Sequence, residues 1–169
     1  DDSALGEDVV KKLKNHKVNT DYVMTMPGGM GTWLAVFDHN GDLAGSISQR
    51  PNLMPILGLL EEKGDEIFAN ADSVIVEVDM DKDIIKKVVA LAKQYNKKLY
   101  GVVSNMSIAV ERRDFLKHFD CFICNQLEAG MLFMEDYADK SPEELRDILS
   151  KRVILGKIPA MIVTMGGNG

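Results

Sequence analysis

The sequence predicts an α/β fold: a mostly parallel sheet flanked by helices, with a small antiparallel β-hairpin. Three observations predict it. From Ser73 to Thr164, apolar runs of strand length alternate with helical spacing, which is the pattern of parallel βαβ units. The run from Ser73 to Val78 reads as a strand buried on both faces. Upstream, His39-Asn40-Gly41-Asp42 separates two strand-like runs, and Asn-Gly suits the positive φ of a type I′ turn.

The elements follow in order. Residues 3–16 fit an amphipathic helix, with Leu5, Val9, Val10 and Leu13 on one side and lysines on the other. Tyr22-Val23-Met24 and Thr32 to Phe37 read as strands, and Leu43 to Ser48 as the partner of the second. Glu61-Glu62-Lys63 reads as a solvated face. After the strand 73–78, residues 81–95 carry Ile84, Ile85, Val88, Val89, Leu91 and Ala92 at helical spacing. Leu99 to Val103 is a strand, 108–118 a helix, Cys121 to Cys124 a strand and 126–134 a helix. Ser141-Pro142-Glu143-Glu144 opens another helix, with Ser as N-cap, Pro at the first helical position and Glu three residues after the cap. Ala160 to Thr164 is the last strand.

Composition narrows the function. With 169 residues, 46% hydrophobic and 27% charged, the chain suits an ordinary globular domain. Its net charge of −6 argues against nucleic-acid binding, which needs a basic face. No stretch reaches the ~18 apolar residues of a membrane span. Cys121 and Cys124 lie three apart on a predicted strand, so they point to opposite faces and form no disulfide. They read as half-buried thiols in a reducing compartment, the cytoplasm. His16, His39 and His118 have no ligand neighbours at metal-binding spacing and read as surface residues.

In a parallel α/β sheet, ligands bind beyond the carboxyl ends of the strands. Four places fall there: Asp79, Ser104-Asn105, Asn125-x-x-Glu128, and Thr164-x-Gly166-x-x-Gly169. A strand running into a glycine-rich turn brings backbone N–H groups against phosphate. Each place has a simpler structural use. Asp79 or Asp81 suits the cap of the next helix, Ser104 and Asn105 a turn, and Asn125-x-x-Glu128 a capping box. A dinucleotide-binding domain fits poorly, because its glycine fingerprint opens the first βαβ unit and here the glycines come last.

Taken in order, these features resemble the ribokinase-like sugar and nucleoside kinases, the PfkB family. Asp2 to Gly6 is similar to the family's Gly-Asp-Asp-x-x-Gly segment. Val18 to Val23 is similar to the approach to its lid, and Gly31 to Val36 with Asn40-Gly41-Asp42 to the lid hairpin. Asn125-x-x-Glu128 and Thr164-x-Gly166-x-x-Gly169 match the family's Asn-x-x-Glu and nucleotide loop. Cys124 stands where relatives usually have Pro, and Ser104-Asn105 where many have Asp-Pro.

The resemblance implies an α/β core over 1–17 and 50–169 and a lid over 18–49. It implies ATP-dependent phosphorylation of a sugar or nucleoside hydroxyl, pseudouridine kinase-like or ribokinase-like. Asn125, Thr164, Gly166 and Gly169 would take the nucleotide, and Glu128 the Mg²⁺ through water. Asp79, Thr32 and Asn105 would take the acceptor. A homodimer through the lid is a further implication. The family's catalytic Asp lies in a Gly-Ala-Gly-Asp motif that follows the nucleotide loop and is not in this sequence. The chain is therefore expected to be an inactive central piece of a longer kinase. The alternative expectation is a ribokinase-like binding or regulatory module without turnover.

Overall fold

The structure is a computed structural model and describes residues 1–39 and 43–168. It divides into two compact units, Asp1–Pro55 and Ile56–Gly169.

The first unit opens with α1 (Ala4–Asn15), close to the predicted span. Ser3 caps it, its hydroxyl accepting from the Gly6 N–H at 3.2 Å. The predicted strand at Tyr22–Met24 does not form. The segment is turn and irregular backbone, held by local bonds: Asn19 Oδ1 accepts from the Asp21 N–H at 2.8 Å, and the Val23 N–H donates to the Thr20 carbonyl at 3.0 Å. Such side-chain-to-backbone bonds compete with a ladder. The hairpin does form, from β1 (Thr32–Phe37) and antiparallel β2 (Leu43–Gln49). Thr32 pairs with Gln49, Leu34 with Ile47 and Val36 with Gly45, and the register shifts between Val36 and Phe37. The predicted turn Asn40-Gly41-Asp42 lies outside the described residues.

The second unit begins with α2 (Pro55–Asn70), a helix the sequence reading did not anticipate. Its buried stripe is Leu60, Gly64 and Phe68, one residue per turn, while Glu61, Glu62 and Lys63 lie exposed as expected. Gly64 is needed for close packing: a Cβ there would sit 2.6 Å from a Leu91 δ-carbon of the next helix. Then come β3 (Ser73–Glu77), α3 (Lys82–Gln94), β4 (Lys98–Val102), α4 (Met106–Ala109), β5 (Cys121–Asn125), α5 (Gln126–Phe133), α6 (Pro142–Leu155) and β6 (Met161–Thr164). The strands form one parallel sheet in the order β3-β4-β5-β6.

Two expectations change. The helix predicted over 108–118 is the short α4 followed by a 3-10 helix, Val110–His118. The run 73–78 is not buried on both faces. Side chains alternate along β3, with Val76 and Val78 buried and Ile75 68% exposed, so only one face of the strand is covered. α3 buries Ile84, Ile85, Val88, Leu91 and Ala92, as its spacing requires. The fully buried side chains include Phe68, Phe119, Phe122 and Leu99. Cys121 and Cys124, on opposite faces of the interior strand β5, are both buried and free.

Candidate functional site

The parallel order puts the carboxyl ends of all four strands on one edge, where α/β ligand sites form. Asp79, Asn105, Asn125 and Thr164 all fall on it.

At β3, the Val78 N–H extends the ladder by donating to the Val102 carbonyl at 2.8 Å. Asp79 follows, 5% exposed. It does not cap the next helix. Asp81 holds the N-cap position of α3, and even its side chain makes no cap bond. At β4, Asn105 is the N-cap of α4. Its carbonyl accepts from Ile108 at 3.1 Å and Ala109 at 3.0 Å, but its side chain makes no cap bond.

At β5, the simpler reading and the functional one coincide on the same atoms. Asn125 Oδ1 accepts from the Glu128 N–H at 2.8 Å, and Glu128 Oε2 accepts from the Asn125 N–H at 2.7 Å. This is a complete capping box. Glu128 Oε1 and the Asn125 amide nitrogen are outside it. Cys124 lies just before, its thiol pushed up to about 12 by burial first and by the Glu128 charge second.

At β6, Thr164 is the ladder partner of Asn125. The chain then turns at Gly166, whose φ of +59° suits glycine, into a short 3-10 turn, Gly166–Asn168. A Cβ at Gly166 or Gly167 would meet nothing within 4 Å, so this backbone faces open space. An exposed glycine turn at a strand end fits the approach of a phosphate. Gly169 lies outside the described residues. Thr32, at the start of β1, belongs to the first unit.

Two residues at this edge carry roles that local sequence signals do not reveal. Gln126 Nε2 donates to the carbonyls of Tyr137, Ala138 and Lys140, the last two at 3.3 and 3.2 Å. It ties the loop before α6 to the start of α5. Arg112 Nε donates to the Met80 carbonyl at 3.1 Å, in the turn that carries Asp79. Their signal is only their position, Gln126 inside the Asn-x-x-Glu motif and Arg112 just after α4.

Among the described residues, no three His, Cys, Asp or Glu side chains gather to hold a metal ion. That still fits magnesium, which keeps most of its waters and commonly takes one or two carboxylates beside substrate phosphates. His16, His39 and His118 are exposed. No helix of the described residues is long and apolar enough to cross a membrane.

No protein-family profile matches the chain. A guanosine-inosine kinase from Exiguobacterium acetylicum is 33% identical over 172 aligned residues, covering 98% of this chain and 54% of that protein. A carbohydrate kinase from Agrobacterium tumefaciens shares the fold with a TM-score of 0.67 at 16% identity, over 96% of this chain and 50% of its own. A candidate sugar kinase from Clostridium perfringens gives 0.65 at 19%, over 97% and 51%. The chain thus spans about half the length of the relatives it matches. Over that half, the chain is similar in sequence to a nucleoside kinase and shares the fold of the two sugar kinases.

Proposed function

We propose that the protein containing this chain transfers the γ-phosphoryl group of ATP to a hydroxyl of a nucleoside or sugar, in the cytoplasm. One observation supports this most. The β5–β6 ladder pairs Asn125 with Thr164, so the Asn-x-x-Glu segment and the glycine turn stand side by side on the edge that also carries Asp79 and Asn105. A nucleoside is favoured over a simple sugar because the relative at 33% identity is a guanosine-inosine kinase.

In this reading, Thr164, Gly166 and Gly169 line the nucleotide phosphates and Asn125 approaches them with its free amide. Glu128 holds Mg²⁺ through water on the carboxylate oxygen that its cap leaves over. When bound, the ion neutralises phosphate charge. Asp79 and Asn105 orient the acceptor hydroxyl, and positioning of this kind supplies much of phosphoryl-transfer catalysis. None of these residues is assigned the removal of the acceptor's proton. The exposed apolar residues of the β1–β2 hairpin would pair two copies of the protein.

The test uses the full-length protein with Mg·ATP and a panel of guanosine, inosine, pseudouridine, ribose and fructose. ADP release that depends on one acceptor is the expected result. A thermal shift with an acceptor but no ADP would instead make the protein a non-catalytic binding module.

A further inference from the structure

Arg112 occupies an unusual position for a surface-helix arginine. Its side chain is only 13% exposed, against 69% for its neighbour Glu111. It reaches back 32 residues in sequence to donate from Nε to the Met80 carbonyl at 3.1 Å, and its Nη1 donates to Glu111 at 3.0 Å. Met80 is next to the buried Asp79. Arg112 itself lies in the 3-10 helix that continues α4, the helix that Asn105 begins. One guanidinium therefore joins the turn after β3, which carries Asp79, to the helical segment that begins at Asn105 after β4.

The chemistry suits the task. Arginine offers five donors on a rigid planar fork, whereas lysine offers a point charge on a flexible stem. A carbonyl held from Nε fixes both the direction and the height of the fork. We infer that Arg112 is a positioning residue for the acceptor: it sets the spacing of the Asp79 and Asn105 loops. This rests on the kinase reading above. The Asn125–Glu128 box and the glycine turn are held by their own bonds across β5 and β6, none of which involves Arg112.

The experiment compares full-length wild type with Arg112→Lys, Arg112→Gln and, as a control, Glu111→Gln, measuring kcat, both KM values and the melting temperature. The expected result is a rise of about tenfold or more in the KM of the acceptor for both Arg112 variants, the size of effect a misplaced positioning group produces. The KM for ATP stays within about twofold, and Glu111→Gln, which keeps the Met80 bond, matches wild type. Three results overturn the inference: an unchanged acceptor KM with a lower melting temperature, equal rises in both KM values, or failure of both Arg112 variants to fold. Each means that Arg112 supports the fold and no particular loop spacing. Wild type that turns over no acceptor fails differently, since it removes the kinase reading and this inference with it.

Discussion

Glu128 has two carboxylate oxygens and the cap uses one of them, Oε2, at 2.7 Å from the Asn125 nitrogen. Glutamine can close the same box, since Glu and Gln serve equally at that position. Glu128→Gln should therefore leave stability within about 0.5 kcal/mol of wild type. If Oε1 holds the ion's water, the same change should lower turnover by about 10–100-fold, the usual cost of losing an outer-shell partner of a metal. Melting curves beside initial rates over a magnesium titration separate the two roles. Equal rates at all magnesium concentrations would leave Glu128 as a helix cap alone. Cys124 gives a second expectation. Its thiol, pushed up to about 12 in the fold by burial and the Glu128 charge, returns to its ordinary range on unfolding. The folded value is the higher one, so this contribution to stability is complete below about pH 8.5 and is lost as pH rises toward 12. Urea midpoints measured from pH 7 to 11 should fall above that point, and Cys124→Ser should flatten the fall. A thiol reagent at pH 8 should react far more slowly with the folded protein than with the unfolded one, because only the thiolate attacks.

α5 shows how an element is stopped and reused. Its C-cap Met134 takes φ +57°, and the chain turns back so that the Glu135 N–H donates to the Gly130 carbonyl at 2.9 Å. A Cβ at Gly130 would lie 2.5 Å from the Glu135 carbonyl oxygen, a backbone atom that cannot rotate away. Gly130→Ala should cost about 1–3 kcal/mol through this overpacking, while the neighbouring α6 cap variant Ser141→Ala should cost about 1 kcal/mol. Chemical denaturation reads both, and a neutral Gly130→Ala would mean that the loop is free to move off the helix. These elements also mark what a sequence discloses. α6 and α5 are legible because their capping boxes are spelled within four residues, and α3 because five buried positions repeat at helical spacing. α2 is hidden because its stripe runs through Gly64, which packs by what it lacks. The strand expected at Tyr22–Met24 fails because β propensity without a ladder partner loses to the Asn19 turn. At the candidate site, Asp79, Asn105, Asn125 and Thr164 follow from strand ends. Arg112 and Gln126 could not be foreseen, since their bonds span 32 residues and up to 14 residues of sequence.

At the scale of the whole molecule, the hairpin of the first unit is the least self-sufficient part. Trp33, Val36 and Phe37 are all more than half exposed, and the cross-strand pair Leu34 and Ile47 is exposed at 62% and 72%. Residues alternate in direction along a strand, so Leu34, Val36 and Ile47 share one face while Trp33, Ala35 and Phe37 share the other. A two-stranded ribbon is marginal alone in water, and exposed apolar strands invite pairing with another chain. In a symmetric dimer, each residue of the patch is buried twice. If the Leu34 face forms the contact, loss of two leucines at about 1.5–3 kcal/mol each should weaken the dimer by about 10²–10⁴-fold for Leu34→Asp. Sedimentation of the full-length protein should show a dimer at micromolar concentration that the variant lacks, with little change in melting temperature. Trp33 is the single tryptophan of this chain, so within the chain its fluorescence reports the opposite face. Emission that stays put through dimerisation assigns the contact to Leu34, Val36 and Ile47. A blue shift assigns it to Trp33 and Phe37, and in that case Leu34→Asp leaves the dimer intact. A wild type that stays monomeric across the range would sink the pairing altogether and leave both faces to contacts within one copy.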